Sequence, residues 1–185
     1  SVQRLLYCCT NAKIVIILEF LLHLWHYDKI GLRLSAISKS AVARQNNKVD
    51  IMATKQQTLA SAISFSGKGL HTGQYITAVF NPAPENHGYK IQRVDLEGEP
   101  IIDCLAENVA DTQRGTVLVM GDIRISTIEH AMAALYSAGV DNVLIQLDGP
   151  EMPILDGSAI LFCQEVNRVG LVEQNANKDF YIVKH

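Results

Sequence analysis

The chain has 185 residues, 48% of them hydrophobic and 19% charged, which is typical of one globular domain and too short for a second complete one. The formal net charge is -3 and no basic cluster with interleaved aromatic residues occurs, so nucleic acid is not an expected partner. The four cysteines form no disulfide pattern, which is typical of a reducing compartment and predicts a cytoplasmic protein.

The first 51 residues differ from the rest of the chain. Their apolar run, residues 14–25, contains Glu19 and His23 and is much shorter than the roughly 20 residues of a membrane helix, so no membrane span is predicted. A signal peptide is disfavoured because the small residues that could form its cleavage site lie far downstream of the apolar run. The pattern becomes regular only after Met52. We therefore expect residues 1–51 to be an atypical extension outside the fold, either upstream translated sequence or a poorly folded appendage.

Short β-rich runs alternate with turn signals from Thr54 onward. The first two predicted strands flank a glycine-rich loop, and four more follow around glycine turns. In chain order these strands are predicted over residues 59–65, 74–80, 89–94, 101–105, 115–119 and 123–125.

The second half of the chain adds two predicted helices. Apolar positions recur at helical spacing from Ile128 to Leu135, and a strand over residues 142–147 follows. After a proline-containing turn, Asp156 is expected to open and cap a second helix that ends before Gly170. Residues 179–185 begin another strand. This order predicts an α+β fold, a mostly antiparallel sheet with two helices packed on one face.

The start of the first predicted helix places a carboxylate beside an imidazole. Ser126, followed three residues later by Glu129, fits a capping box, so Glu129 and His130 are expected in the first turn. The positive end of the helix disfavours a protonated imidazole, which leaves a His130 nitrogen available to a metal ion. An ionised Glu129 could then accept a proton from a zinc-bound water, the general-base step of metal-assisted hydrolysis.

The same spacing allows a structural interpretation. Glu129 could serve only to close the capping box, and most single histidines on helices bind nothing. Catalytic zinc needs three protein ligands, and the chain contains neither an HExxH pattern nor a CxxC pair.

The glycine-rich loop is a second candidate site. Its spacing from Gly67 to Gly73 is one residue too long for a dinucleotide fingerprint, and a strand follows instead of a helix, so a simple hairpin is favoured. His71 remains a secondary candidate because loop residues held by a rigid scaffold often carry function.

Two further groups of polar residues leave their roles open. Asp148, Glu151 and Asp156 could form an acidic metal cluster, but both Asp-Gly pairs are ordinary turn chemistry, and a structural role is favoured. Arg114 could pair with a phosphate or only face water.

Five motifs carry a resemblance to a known family. In order they are Gly69-Leu-His-Thr-Gly73, Phe80-Asn-Pro-Ala-Pro84, Ile125-Ser-Thr-Ile-Glu-His130, Gly139-Val-Asp-Asn142 and Pro153-Ile-Leu-Asp-Gly-Ser-Ala159. Together they resemble the zinc-dependent UDP-3-O-acyl-N-acetylglucosamine deacetylases of lipid A biosynthesis. The resemblance implies a first domain over residues 54–176, one of two similar layered domains, and the first strand of a truncated second domain over residues 178–185.

The resemblance also implies roles for individual residues. His130 would be a zinc ligand, and Glu129 the general base that activates water for attack on the acetamide carbonyl. Asp156 would be a supporting polar residue near the active-site cleft. The cleft itself would be bordered by His71 and by the segment Gln113, Arg114, Gly115 and Thr116.

The remaining two zinc ligands of that family, a His and an Asp spaced as H-x-x-x-D on a helix, belong to a second domain that the chain does not contain. We therefore expect a fragment that is inactive alone, from a monomeric enzyme whose substrate is UDP-3-O-acyl-N-acetylglucosamine. The rival hypothesis is a non-catalytic α+β module that binds a ligand or partner through the glycine-rich loop.

Overall fold

The computed structural model describes residues 7–8 and 54–181, with residues 7–8 and 180–181 described by their backbone only. Its strands, in chain order, are β1 (Tyr7–Cys8), β2 (Lys55–Leu59), β3 (Ile63–Lys68), β4 (Tyr75–Pro82), β5 (Tyr89–Arg93), β6 (Ile101–Asp103), β7 (Val109–Asp111), β8 (Val117–Met120), β9 (Ile123–Ile125), β10 (Val143–Leu147), β11 (Leu171–Asn177) and β12 (Phe180–Tyr181). The α-helices are α1 (Glu129–Ala138) and α2 (Ile160–Val169), and a 3-10 helix spans Ala106–Asn108.

A five-stranded sheet in the order β3-β4-β10-β5-β6 forms the main layer. Only the β10–β5 pair is parallel, and the other three pairs are antiparallel. Side chains along these strands alternate between buried and more exposed positions, as β-branched and aromatic residues do when one face of a sheet is covered. The buried face includes Ile76, Phe80 and Ile145, each at most 1% exposed.

Both helices cover this buried face. Ala131 and Leu135 of α1 and Phe162 and Val166 of α2 belong to the same hydrophobic cluster as the inward residues of the sheet. The predicted α+β fold, with a mostly antiparallel sheet and two helices, is therefore confirmed. Neither helix in the described part of the chain has the length and apolarity needed to cross a bilayer.

Three smaller sheets complete the described architecture. β2 pairs with β11, β1 pairs with β12, and β8 lies between β7 and β9. Apart from residues 7–8, the predicted N-terminal extension lies outside the described residues, as do residues 182–185 of the last predicted strand. The exclusion of residues 1–51 from the fold stays a prediction. The division of the rest of the chain into a first domain, residues 54–176, and the start of a second, residues 178–185, also stays a prediction.

Several predicted boundaries were wrong. The single strand expected over residues 59–65 is interrupted at residues 60–62, where β2 ends and β3 begins. β7 and β11 were missed, because their side chains are largely polar or half-exposed and show no apolar alternation. The second helix begins at Ile160 and not at Asp156.

An aromatic cluster joins α2 to the sheet. Phe162 lies 4.7 Å from Phe65 and 5.9 Å from Phe80, measured between ring centroids. Phe162→Ala is expected to lower the free energy of unfolding by about 3–5 kcal/mol, because it removes a fully buried ring and leaves a cavity. Urea denaturation measures this loss. Ile160→Ala, at a position 55% exposed on the same helix, should cost about 1 kcal/mol or less. Equal losses for the two variants would contradict the role of the cluster.

Candidate active site

The turn between β9 and α1 is held by a distant segment of the chain. The Ser126 N–H donates to the carbonyl of Pro150 at 3.0 Å, and the Met152 N–H donates to the carbonyl of Ser126 at 3.0 Å. Between Ser126 and the helix, Thr127 has a φ of +61°. This conformation is strained for a β-branched residue and persists only where the surroundings enforce it. The result is a sharp turn that brings Glu129 to the first position of α1.

The predicted capping box is absent. No side chain caps the N-terminus of α1, and the N-cap residue is Ile128. The Ser126 hydroxyl is 3.4 Å from the carbonyl of Pro150, because pairing with residues 150–152 draws Ser126 away from the helix. Glu129 instead accepts a hydrogen bond through Oε2 from the Thr116 N–H at 2.8 Å. The structural explanation of Glu129 as a cap is therefore wrong.

Glu129 and His130 form the centre of the candidate site. Glu129 Oε1 and His130 Nε2 are 3.8 Å apart, and the two side chains are 19% and 22% exposed. The apolar stripe of α1, including Ile128 and Leu135, is fully buried in the core. The two polar side chains are therefore partly exposed, and we call the surface that they line the recess.

The segment predicted to border the site does contact Glu129. Thr116 is buried and supplies the N–H that binds Glu129, and Gly115 approaches so closely that an added Cβ would lie 3.3 Å from Glu129 Oε1. Gly115 also has a φ of +145°, which favours glycine. Gln113 is exposed and donates its N–H to an Asp111 carboxylate oxygen at 3.0 Å. Glu129 is thus enclosed on one side by backbone of this segment.

His71 lies across the same segment from Glu129. It is exposed on the loop between β3 and β4, and its Nε2 is 3.2 Å from the carbonyl oxygen of Arg114, to which it can donate. A cavity of about 260 Å³ opens here, lined in part by His71, Arg114, Arg124 and Thr127. The cavity therefore lies beside the recess of Glu129 and His130, with two arginines in its walls.

Asp156 lies on the turn before α2 and does not cap that helix. Its carboxylate accepts hydrogen bonds from the Ser158 N–H at 3.0 Å and the Ser158 hydroxyl at 2.9 Å, while the Ser158 hydroxyl accepts the Ile160 N–H. These bonds from Ser158 hold the pKa of Asp156 below its usual value, and His130 makes a smaller electrostatic contribution. Asp156 is therefore an exposed turn residue whose main hydrogen-bond partner is Ser158.

The described residues do not form a metal site by themselves. Within residues 54–181, no three His, Cys, Asp or Glu side chains are grouped so that they could hold a metal ion. His130 can offer one nitrogen, whereas catalytic zinc needs three protein ligands. The acidic cluster considered above is also not formed, because Asp148 binds the Thr77 N–H and Asp156 binds Ser158.

Sequence reasoning missed the role of Glu151, which is fully buried. Its carboxylate accepts the N–H groups of His71 and Thr72, so the glycine-rich loop does bind an anion, but that anion is a side chain of the same domain. Burial alone would raise the pKa of Glu151, but the hydrogen bonds from Thr72, His71 and Thr127 outweigh it and lower the pKa. The loop N–H groups of His71 and Thr72 are thus already used within the domain, which gives no support to the rival hypothesis of a module that binds a ligand or partner through this loop. The only indication of this role in the sequence was the position of Glu151 between Pro150 and Pro153.

Comparisons with known proteins show which family the chain resembles. Residues 56–185 match the family described as LpxC, UDP-3-O-acyl N-acetylglycosamine deacetylase. A bifunctional enzyme LpxC/FabZ of Bacteroides thetaiotaomicron is 63% identical over 130 residues, and one of Porphyromonas gingivalis is 62% identical over 130 residues. Each alignment covers 70% of this chain and 28% of the relative. A UDP-3-O-acyl-N-acetylglucosamine deacetylase of Thermosynechococcus vestitus is 46% identical over 134 residues, covering 72% of this chain and 47% of the relative. The chain therefore spans less than half of these relatives.

Proposed function

The chain belongs to the UDP-3-O-acyl N-acetylglycosamine deacetylase family, and from this membership we propose that the whole protein removes acetate from UDP-3-O-acyl-N-acetylglucosamine in lipid A biosynthesis. The reaction is hydrolysis of an amide and depends on zinc. Relatives named UDP-3-O-acyl-N-acetylglucosamine deacetylase support the substrate. The activity belongs to the whole protein, since the chain spans less than half of these relatives.

One observation carries the proposal for this chain's own residues. The Glu129 carboxylate is held beside His130 and does not cap the N-terminus of α1. The Thr116 N–H binds Oε2, which leaves Oε1 directed toward His130 at 3.8 Å. A carboxylate fixed in this way can take a proton from an attacking water at Oε1. Glu129 is therefore the general base of the proposed reaction.

His130 would hold the zinc ion through an imidazole nitrogen. When bound, zinc supplies a Lewis acid that polarises the acetamide carbonyl and makes water more acidic. Asp156 is the supporting polar residue that the family resemblance implies, and the Thr116 N–H in the segment Gln113 to Thr116 keeps Glu129 in place. Arg114, which lines the cavity beside His71, is a suitable partner for a phosphate of the substrate. The other zinc ligands are expected from a second domain, as the family resemblance implies.

The setting of the protein is also part of the proposal. Cys104 and Cys163 are free thiols, which supports a reducing, cytoplasmic environment. We propose a monomer, as the resemblance implies.

Acetate release by the purified full-length protein tests the proposed function. We expect release from UDP-3-O-acyl-N-acetylglucosamine, loss of activity on removal of zinc by a chelator, and recovery when zinc is returned. UDP-N-acetylglucosamine, which lacks the acyl chain, is the matched control substrate and should react more slowly. A zinc-loaded, folded protein that releases no acetate from either compound would contradict the proposal.

A further inference from the structure

Glu151 connects two segments that are far apart in sequence. Its Oε1 accepts the Thr127 hydroxyl at 2.8 Å, and its Oε2 accepts the Thr72 N–H at 2.9 Å and the Thr72 hydroxyl at 2.8 Å. The His71 N–H lies 3.0 Å from Oε1 and 3.2 Å from Oε2. One buried carboxylate therefore accepts hydrogen bonds from the loop before β4 and from the turn before α1.

The packing around Gly69 shows that the carboxylate is held very close to the loop. A Cβ built at Gly69 would overlap Glu151 Oε2 and the Thr72 hydroxyl, and would lie 2.9 Å from Glu151 Cδ. Real Cβ atoms do not approach other atoms so closely. Gly69 is buried, so the carboxylate occupies the space that a side chain would fill.

The other partner of Glu151 is the strained residue of the candidate site. Thr127 has a φ of +61° and is 2% exposed, and it lies two residues before Glu129. A strained backbone persists only where its surroundings hold it. The hydrogen bond from the Thr127 hydroxyl to Glu151 is one such restraint, and the backbone bonds of Ser126 to the neighbours of Glu151 are others.

We propose that Glu151 is a positioning residue that clamps the loop of residues 69–73 to the turn of Thr127 and so fixes His71 relative to Glu129. The two connected segments both line the cavity beside the recess, through His71 and Thr72 on one side of the connection and Thr127 on the other. The effect of this clamp on turnover rests on the proposed deacetylase function, whereas the clamp itself does not.

Amide hydrogen exchange of the full chain, followed residue by residue by NMR, tests the clamp without any substrate. Glu151→Gln replaces one acceptor oxygen by a donor, and Gly69→Ala displaces the carboxylate without changing it. We expect both variants to speed the exchange of the His71 and Thr72 amides by about tenfold or more relative to amides in the core strands, whose exchange reports any change in global stability. Asp148→Asn is the matched control, because Asp148 also binds a backbone N–H, that of Thr77 at 2.6 Å, outside the clamp.

A second pair of variants tests the coupling between the two connected segments. Thr127→Val removes the hydroxyl but keeps the branched shape, and Thr127→Ser keeps the hydroxyl. If Glu151 couples the two segments, Thr127→Val speeds exchange at His71 and Thr72, and Thr127→Ser does not. Unchanged exchange at these two amides in Glu151→Gln, Gly69→Ala and Thr127→Val would overturn the proposal.

Kinetics of the full-length protein separate a positioning role from a merely structural one. We expect Glu151→Gln to lower kcat/KM by about tenfold or more at unchanged zinc content and folded fraction, since a misplaced wall disturbs substrate orientation. A loss that only follows the unfolded fraction would overturn the positioning role. Faster exchange in the variants, together with an unmodified protein that releases no acetate, would support the clamp and contradict the deacetylase function.

Discussion

Glu129→Ala in the full-length protein is expected to lower the rate of acetate release roughly 100- to 10,000-fold while the zinc content stays nearly intact. The physical reason is the loss of the carboxylate that the structure holds beside His130, with Oε2 on the Thr116 N–H and Oε1 3.8 Å from the imidazole. Because no side chain caps α1, the variant loses no helix cap and should remain folded. The measurement is turnover beside metal analysis of the same preparation.

Glu129→Gln is the matched control for this prediction. Its amide oxygen can still accept the Thr116 N–H and keep the segment of residues 113–116 in place, but an amide cannot take a proton from water. A loss as large as that of Glu129→Ala therefore identifies proton transfer as the missing step. Near-normal turnover in either variant would assign Glu129 to holding this segment, and the general-base role would be abandoned.

The position of the candidate site was predictable from local sequence, because it depends on a short helix. The apolar spacing from Ile128 to Leu135 predicted α1. Together with the capping-box pattern of Ser126 and Glu129, it placed Glu129 and His130 in the first turn, where the structure has them. The way in which Glu129 is held was not predictable. The capping box failed because Ser126 pairs with residues 150–152, and a local pattern contains no information about such a distant partner.

The outer strands show the same limit. β11 is missing from the predicted elements because four of the seven residues in Leu171–Asn177 are polar, and two of its apolar residues, Leu171 and Val172, are adjacent instead of alternating. Its pairing with β2 decides its structure, and the two strands lie at opposite ends of the described domain. The inner strands were found because one face of each is buried and their apolar residues alternate.

The clamp residues could not be assigned from sequence for a different reason. A threonine at a positive φ violates the local preference of its side chain, so no propensity argument predicts it. A fully buried glutamate is equally improbable until its four donors are known. Thr127 and Glu151 therefore both depart from the usual preferences of their residue types. Both lie next to the candidate site, and such departures are most often found at functional sites.

His130→Ala is expected to lower the zinc content of the full-length protein to well below that of the unmodified protein after dialysis, and to abolish turnover as a consequence. Removing one of three protein ligands weakens zinc binding directly, whereas Glu129→Ala leaves the proposed ligand in place. His71→Ala is the matched control, because the His71 ring already lies 3.2 Å from the Arg114 carbonyl and is not a proposed ligand. Metal analysis should therefore show zinc retained in His71→Ala and lost in His130→Ala. Equal zinc content in the two variants would show that His130 is not a zinc ligand. The pairing of its imidazole with the Glu129 carboxylate would then have a function other than metal binding.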